Sequence, residues 1–145
     1  MKKMTFGELA DRLEGAGARF KAELPEALAE AGEMVKLDAQ SRIGHYQPGW
    51  KQLKQETQDE RVRLGYSAND PLLRSGELRD AIAVRVAENV VAVGVGGDMA
   101  VIARAQEYGT AYIPPRPFLR PAMLETLPQT GRVIAAALKR AIRGG

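Results

Sequence analysis

Residues 83–87, Ala83-Val84-Arg85-Val86-Ala87, and residues 90–95, Val90-Val91-Ala92-Val93-Gly94-Val95, are two β-branched runs separated by Glu88-Asn89. Valine loses side-chain freedom against a helix turn and packs well on a pleated surface, so each run reads as a strand. A two-residue connection makes the pair a hairpin, with Asn89 expected to take the positive φ that the turn needs. Upstream, Ser75-Gly76-Glu77-Leu78-Arg79-Asp80-Ala81-Ile82 reads as a short helical piece feeding the first strand. Downstream, residues 99–108 read as a helix with Val101, Ile102 and Ala105 on one face, stopped by Gly109.

Further out, helical periodicity takes over. Thr5-Phe6-Gly7-Glu8 has the form of a capping box, in which the Thr hydroxyl serves a helix amide and the Glu reaches back. Phe6, Leu9, Leu13, Ala16 and Phe20 follow on one helical face, and Ala27, Leu28, Ala31, Val35 and Ala39 carry the stripe towards Ile43. Residues 5–43 therefore read as one long amphipathic helix, which Pro25 either kinks or divides. Periodicity fades over residues 44–71, a long surface loop with room for a short helical turn between residues 52 and 63. Residues 112–121 carry Pro114, Pro115, Pro117 and Pro121 and read as extended. A last helix is expected from Ala122 to Ile142, interrupted near Pro128 and Gly131. The fold class is α+β: long N-terminal and C-terminal helices packed on a small antiparallel sheet with a central β-hairpin, in a single domain spanning residues 1–145.

Composition narrows the function. The 145 residues include no cysteine and one histidine, which excludes a disulfide scaffold, thiol catalysis, Cys-based metal sites and His pairs. Apolar runs such as residues 90–95 and 133–138 fall far short of the ~18 residues of a membrane span. The start carries charge every few residues and reads as lacking a signal-peptide core, so the expectation is a soluble domain made in the cytoplasm, with no membrane contact. Net charge is +3, unevenly spread: residues 104–145 hold seven basic and two acidic side chains. That third either faces an acidic partner or a phosphate backbone, or is a solvated basic helix end.

Candidate chemistry is sparse. His45 stands beside Tyr46 in a polar loop with no nucleophile or orienting carboxylate implied around it, so no catalytic residue, cofactor or metal is assigned and the chain reads as a non-enzyme. Gly94-Val95-Gly96-Gly97 lacks the spacing of a phosphate-binding loop. Trp50, the one tryptophan, is either a lid on the core or an interface anchor. Tyr46, Trp50 and Tyr66 alternate with Lys51, Lys54, Arg61 and Arg63 as in a nucleic-acid surface, but Glu56, Asp59 and Glu60 share the stretch and repel phosphate. The proline-rich run is either a stiff docking strand, with Phe118 and Leu119 for apolar contact and Arg116 and Arg120 for charge-assisted bonds, or a connector that aims the last helix.

Glu107-Tyr108-Gly109-Thr110, followed by Pro114-Pro115-Arg116-Pro117-Phe118-Leu119-Arg120-Pro121-Ala122, resembles the signature of small neck and tail-completion (minor tail) proteins of long-tailed double-stranded DNA phages. Gly49-Trp50, Leu53, Thr57 and the run Leu72-Leu73-Arg74-Ser75-Gly76-Glu77-Leu78-Arg79-Asp80-Ala81-Ile82 are similar to the virion morphogenesis proteins of Mu-like phages and prophages. The resemblance spans residues 5–140. It implies a structural protein without an active site, working at the head–tail junction or tail end, located in the virion and in the host cytoplasm during assembly. It also implies a homo-oligomeric ring, with other connector or tail proteins as partners and DNA contact not required. An isolated hairpin has two open edges, and edge pairing between copies would close them. The expected subunit contacts are therefore residues 83–95 and 112–121, with Trp50, Arg85, Val91, Val93, Tyr112, Arg116, Phe118, Leu119 and Arg120 as interface residues. A small nucleic-acid-binding protein using the basic C-terminal third is the alternative.

Overall fold

The computed structural model describes residues 3–144. Its elements are α1 (Phe6–Arg42), α2 (Gln55–Arg63), α3 (Glu77–Asp80), β1 (Ile82–Ala87), β2 (Val90–Val95), α4 (Met99–Tyr108) and α5 (Leu119–Arg143). The fold is α+β, with two long helices and a two-stranded antiparallel sheet.

Helix α1 starts where the capping box places it. The Thr5 hydroxyl accepts from the Glu8 amide (3.2 Å), and the Glu8 carboxylate accepts from the Thr5 amide (2.8 Å). These bonds hold the Glu8 carboxyl below the usual glutamate range, the backbone bond contributing most. A depressed carboxyl stabilises the fold above its unfolded pKa and loses that contribution as pH falls through the folded value. Circular dichroism should therefore show the first turn of α1 fraying in acid, while Glu8→Gln, whose side-chain carbonyl still accepts but does not titrate, should lose that pH dependence.

Pro25 sits inside α1, and Pro128 inside α5, yet both helices run through. Both prolines are exposed, so water can serve the carbonyl that each leaves without an amide partner. The break expected near Pro128 and Gly131 is absent for this reason.

Helix α5 runs antiparallel to α1. Glu125, near its start, meets Arg42 (2.7 Å), while Arg140 meets Glu23 (3.0 Å) and the Ala141 carbonyl accepts from Arg19 (2.8 Å). The contact is built largely from small residues: Ala16, Ala27 and Ala31 are buried on α1, Ala122, Ala137 and Ala141 on α5. Small side chains let the two backbones approach closely.

The hairpin pairs Ile82 with Val95, Val84 with Val93 and Val86 with Val91 on one face, and Ala83 with Gly94, Arg85 with Ala92 and Ala87 with Val90 on the other. The valine face lies against α1 at Gly32. A Cβ there would sit 2.4 Å from Val84 Cγ1 and 2.8 Å from Val91 Cγ2. Gly32→Ala must push helix and sheet apart at a strain of ~1–3 kcal/mol, which offsets more than the ~1 kcal/mol gained in helix propensity. A lower denaturant midpoint is expected, and an unchanged one would mean that the valines rotate away freely. In the hairpin turn, Glu88 takes the positive φ (49°) in place of the expected Asn89.

Residues 44–71 are more ordered than the sequence suggests, since they contain the nine-residue α2. The main core lies at the C-terminal end of α1, where Ala39, Ile43, Leu72, Leu78, Ile82, Ala103, Phe118 and Ala122 converge.

Candidate interaction surfaces

The proline-rich run turns inward. Glu107, buried on α4, aims its carboxylate at the start of α5: Oε2 accepts from the amides of Phe118 (2.8 Å) and Leu119 (3.0 Å), and Oε1 from that of Arg120 (2.8 Å). A helix N-terminus presents amides without intrahelical partners and a partial positive charge, and a carboxylate answers both. Helix α5 therefore begins at Leu119, three residues before the expected Ala122. Arg120 and Pro121 belong to its first turn, where proline's missing N–H does no harm.

Gly109 makes the connection possible. With φ at 75°, its hypothetical Cβ would lie 2.9 Å from both the Ile113 carbonyl and Pro115. The chain folds back there, the Arg116 amide donating to the Gln106 carbonyl (2.7 Å).

Arg116 is buried, and its guanidinium donates to the Lys51 carbonyl from Nε (3.1 Å) and Nη2 (2.8 Å). Arg61, buried on α2, donates to the carbonyls of Asp70 (2.7 Å) and Leu73 (3.1 Å). Arg116 thus fastens residues 44–71 to the body, while Arg61 ties α2 to the end of that segment and to Leu73, both through backbone oxygens. Burial lowers both guanidinium pKa values, with the nearby Arg74 adding to the effect at Arg61. Arg116→Met keeps the stem and removes the donors, which should cost about 2–3 kcal/mol, typical of hydrogen bonds from a charged group. Limited proteolysis should then cut near Lys51 and Lys54 well before global unfolding.

The expected interface residues separate into two groups. Phe118 has 0% exposure and Arg116 is buried, so neither offers surface to a neighbour. Leu119, Val93 and Trp50 are partly buried against the main core, which favours the lid reading of Trp50. Val91 is half-buried at Gly32, on the hairpin face opposite Arg85. Arg85, Arg120 and Tyr112 are exposed, Tyr112 at 91%.

Helix α4 departs from its expected orientation. Ala103 and Glu107 face the core, while Val101 and Ile102 are exposed. Ile102 and Tyr112 border a groove of about 1070 Å³ between α2, α4 and the segment after Gly109. Tyr66 and Leu72 add apolar wall, and Arg61, Arg74 and Arg116 bring positive charge, Arg74 lying 5.3 Å over the Tyr66 ring. Neither Arg61 nor Arg116 has a carboxylate within ion-pair distance among the described residues.

Phe6, Leu9 and Leu13 begin the apolar stripe that helical spacing predicts along α1. In the structure residues 3–14 are all exposed, Phe6 at 92%, Leu13 at 62% and Leu9 at 42%. His45 is also exposed, on the turn after α1, where its carbonyl accepts from the Gln47 side-chain Nε2 (3.0 Å). Among the described residues no group of three or more His, Asp or Glu side chains is placed to hold a metal ion, and no helix is long and apolar enough to cross a membrane.

Compared with protein-family models, with curated proteins and with solved structures, the chain matches none.

Proposed function

We propose that this chain is a structural virion component of a long-tailed phage or prophage. It acts at the head–tail junction or tail end, where copies assemble into a ring that completes the tail or joins it to the head. The observation that supports this reading most is the two-stranded sheet: among the described residues each strand has one backbone edge without a strand partner. Open edges are normally blunted or covered in proteins that work alone. The outer hairpin face is made of Ala83, Ala87, Val90, Ala92 and Gly94 with a single charged side chain, Arg85, and is mostly small and apolar. The partners are copies of itself and neighbouring connector or tail proteins, in the host cytoplasm during assembly and in the virion afterwards.

The test is co-sedimentation in a producing cell. The chain should travel with heads or tails at a fixed copy number, and its deletion should leave unjoined or incomplete particles. A chain that stays at the top of the gradient, with particle yield unaffected by deletion, overturns the reading.

A second reading, nucleic-acid binding, rests on α5, whose last turns expose Arg132, Lys139, Arg140 and Arg143. It predicts binding that weakens steeply with salt, in proportion to the phosphates neutralised. Ring contacts built on apolar surface persist in moderate salt.

A further inference from the structure

Among the described residues Arg42, Arg61 and Arg116 are buried arginines. Buried charge is ordinarily met by opposite charge. Arg42 follows this rule, with Asp38 at 2.6 Å and Glu125 at 2.7 Å. Arg61 and Arg116 do not. Their hydrogen bonds go to main-chain carbonyls, those of Asp70 and Leu73 for Arg61 and those of Lys51 and Gln52 for Arg116. These oxygens fix the two guanidiniums in place and leave their charge unneutralised.

Both arginines line the groove between α2 and α4, together with Arg74. Burial lowers the Arg61 pKa most, and the charges of Arg74 and then Arg116 lower it further, while Tyr46 and, least of all, Asp70 oppose them. Arg61 therefore lies within electrostatic reach of both other guanidiniums. Donors remain for a ligand. Arg61 uses only Nη1 and Arg116 only Nε and Nη2, and the nitrogens left over keep contact with solvent. Arg74 lies over the Tyr66 ring and makes no hydrogen bond within the described residues. Gln106 lines the same groove with an enclosed Oε1 that no donor serves. A half-turn of its amide brings Nε2, a donor, to that position.

The arrangement of charge selects the anion. Lys51 and Lys54 line the groove with exposed side chains, but so do Glu56, Glu60 and Glu77. A nucleic-acid backbone needs an unbroken cationic track, and these carboxylates interrupt it. A compact anion at the arginines avoids them. One guanidinium fork saturates a carboxylate, whereas a terminal phosphate offers three oxygens and roughly two charges to three guanidiniums. The groove, at about 1070 Å³, has room for the body that carries the phosphate, and Tyr66, Ile102 and Tyr112 give that body an apolar wall.

We propose that the groove between α2 and α4 binds the terminal phosphate of a small molecule through Arg61, Arg74 and Arg116. The inference goes beyond the assembly reading and does not depend on it.

Arg74→Gln is the decisive variant, because Arg74 is exposed and holds no part of the scaffold by a hydrogen bond; its thermal melt should match the parent. Isothermal titration calorimetry on the full chain at low salt compares AMP, inorganic phosphate, succinate and a DNA oligonucleotide without a terminal phosphate. AMP or phosphate should saturate one site, weakened roughly tenfold or more in Arg74→Gln, the range for losing a charge-assisted hydrogen bond. Arg132→Gln, which removes an exposed base of α5 outside the groove, should bind as the parent does. In proton–nitrogen correlation spectra the Nε–H signals of Arg61 and Arg116 should move as the site fills. Tighter binding of AMP than of phosphate assigns an organic phosphate ester, and equal binding assigns the free ion. No saturable binding in the millimolar range overturns the proposal, as do an equal loss in both variants, an unaffected Arg74→Gln, or arginine signals that stay put. Succinate binding as tightly as AMP replaces phosphate by a carboxylate, and an oligonucleotide binding where AMP does not replaces the site by a polymer surface; either result also overturns it.

Discussion

Glu107→Ala is expected to lower stability by about 3–5 kcal/mol, the sum of three charge-assisted hydrogen bonds partly replaced by water. For a chain of this size that is a fall in Tm on the order of 10–15 °C. The cost concentrates at Phe118, whose amide is buried and would lose its acceptor, while Arg120 is exposed and water can serve its amide. Glu107→Gln leaves one acceptor oxygen but turns an amide donor towards backbone donors, so it should fall between alanine and the parent. Thermal melts of the three proteins give the order directly. If glutamine and the parent melt together, the negative charge at the α5 terminus contributes nothing.

Phe118→Ala should cost a similar ~3–5 kcal/mol, the range for emptying a large aromatic site. Phe118 is among the largest fully buried side chains and packs in the cluster that joins α1, α3, β1, α4 and α5. Phe118→Leu, which fills most of the volume, should recover much of the loss. The two sites are adjacent: Glu107 fixes the backbone of the residue whose ring fills the core. A Glu107→Ala, Phe118→Ala double variant should therefore lose less than the two single losses added together, which a thermodynamic cycle measures. Strict additivity would show that ring and cap act independently.

How much of this was legible in the chain follows the range of the interactions. The Thr5–Glu8 box and the valine hairpin depend on residues near one another in sequence, and the structure bears them out. Helix α2 is polar nearly all round and offers no periodic signal; what anchors it is Arg61 gripping carbonyls 9 and 12 residues away. The proline-rich run read equally as a docking strand or as a connector aiming the last helix, because its partner, Glu107, lies 11 to 13 residues upstream and acts on backbone amides, which composition does not reveal. The stripe on α1 was visible, but periodicity marks a face without saying what lies on it. Its first third, with Phe6, Leu9 and Leu13, faces solvent.

Arg61 and Arg116 grip main-chain oxygens, and this bears on how the segment between Gly44 and Pro71 tolerates change. The side chains of Lys51, Gln52 and Asp70 take no part in the bonds that Arg61 and Arg116 make to their carbonyls. Substitutions at Lys51 and Gln52 leave these bonds intact, whereas loss of either arginine removes the donors themselves; Asp70 also faces Arg61 with opposite charge, so its replacement is felt there. The outward chemistry of this segment can thus drift from one lineage to the next, retuning what it touches, while two fixed clasps hold its path.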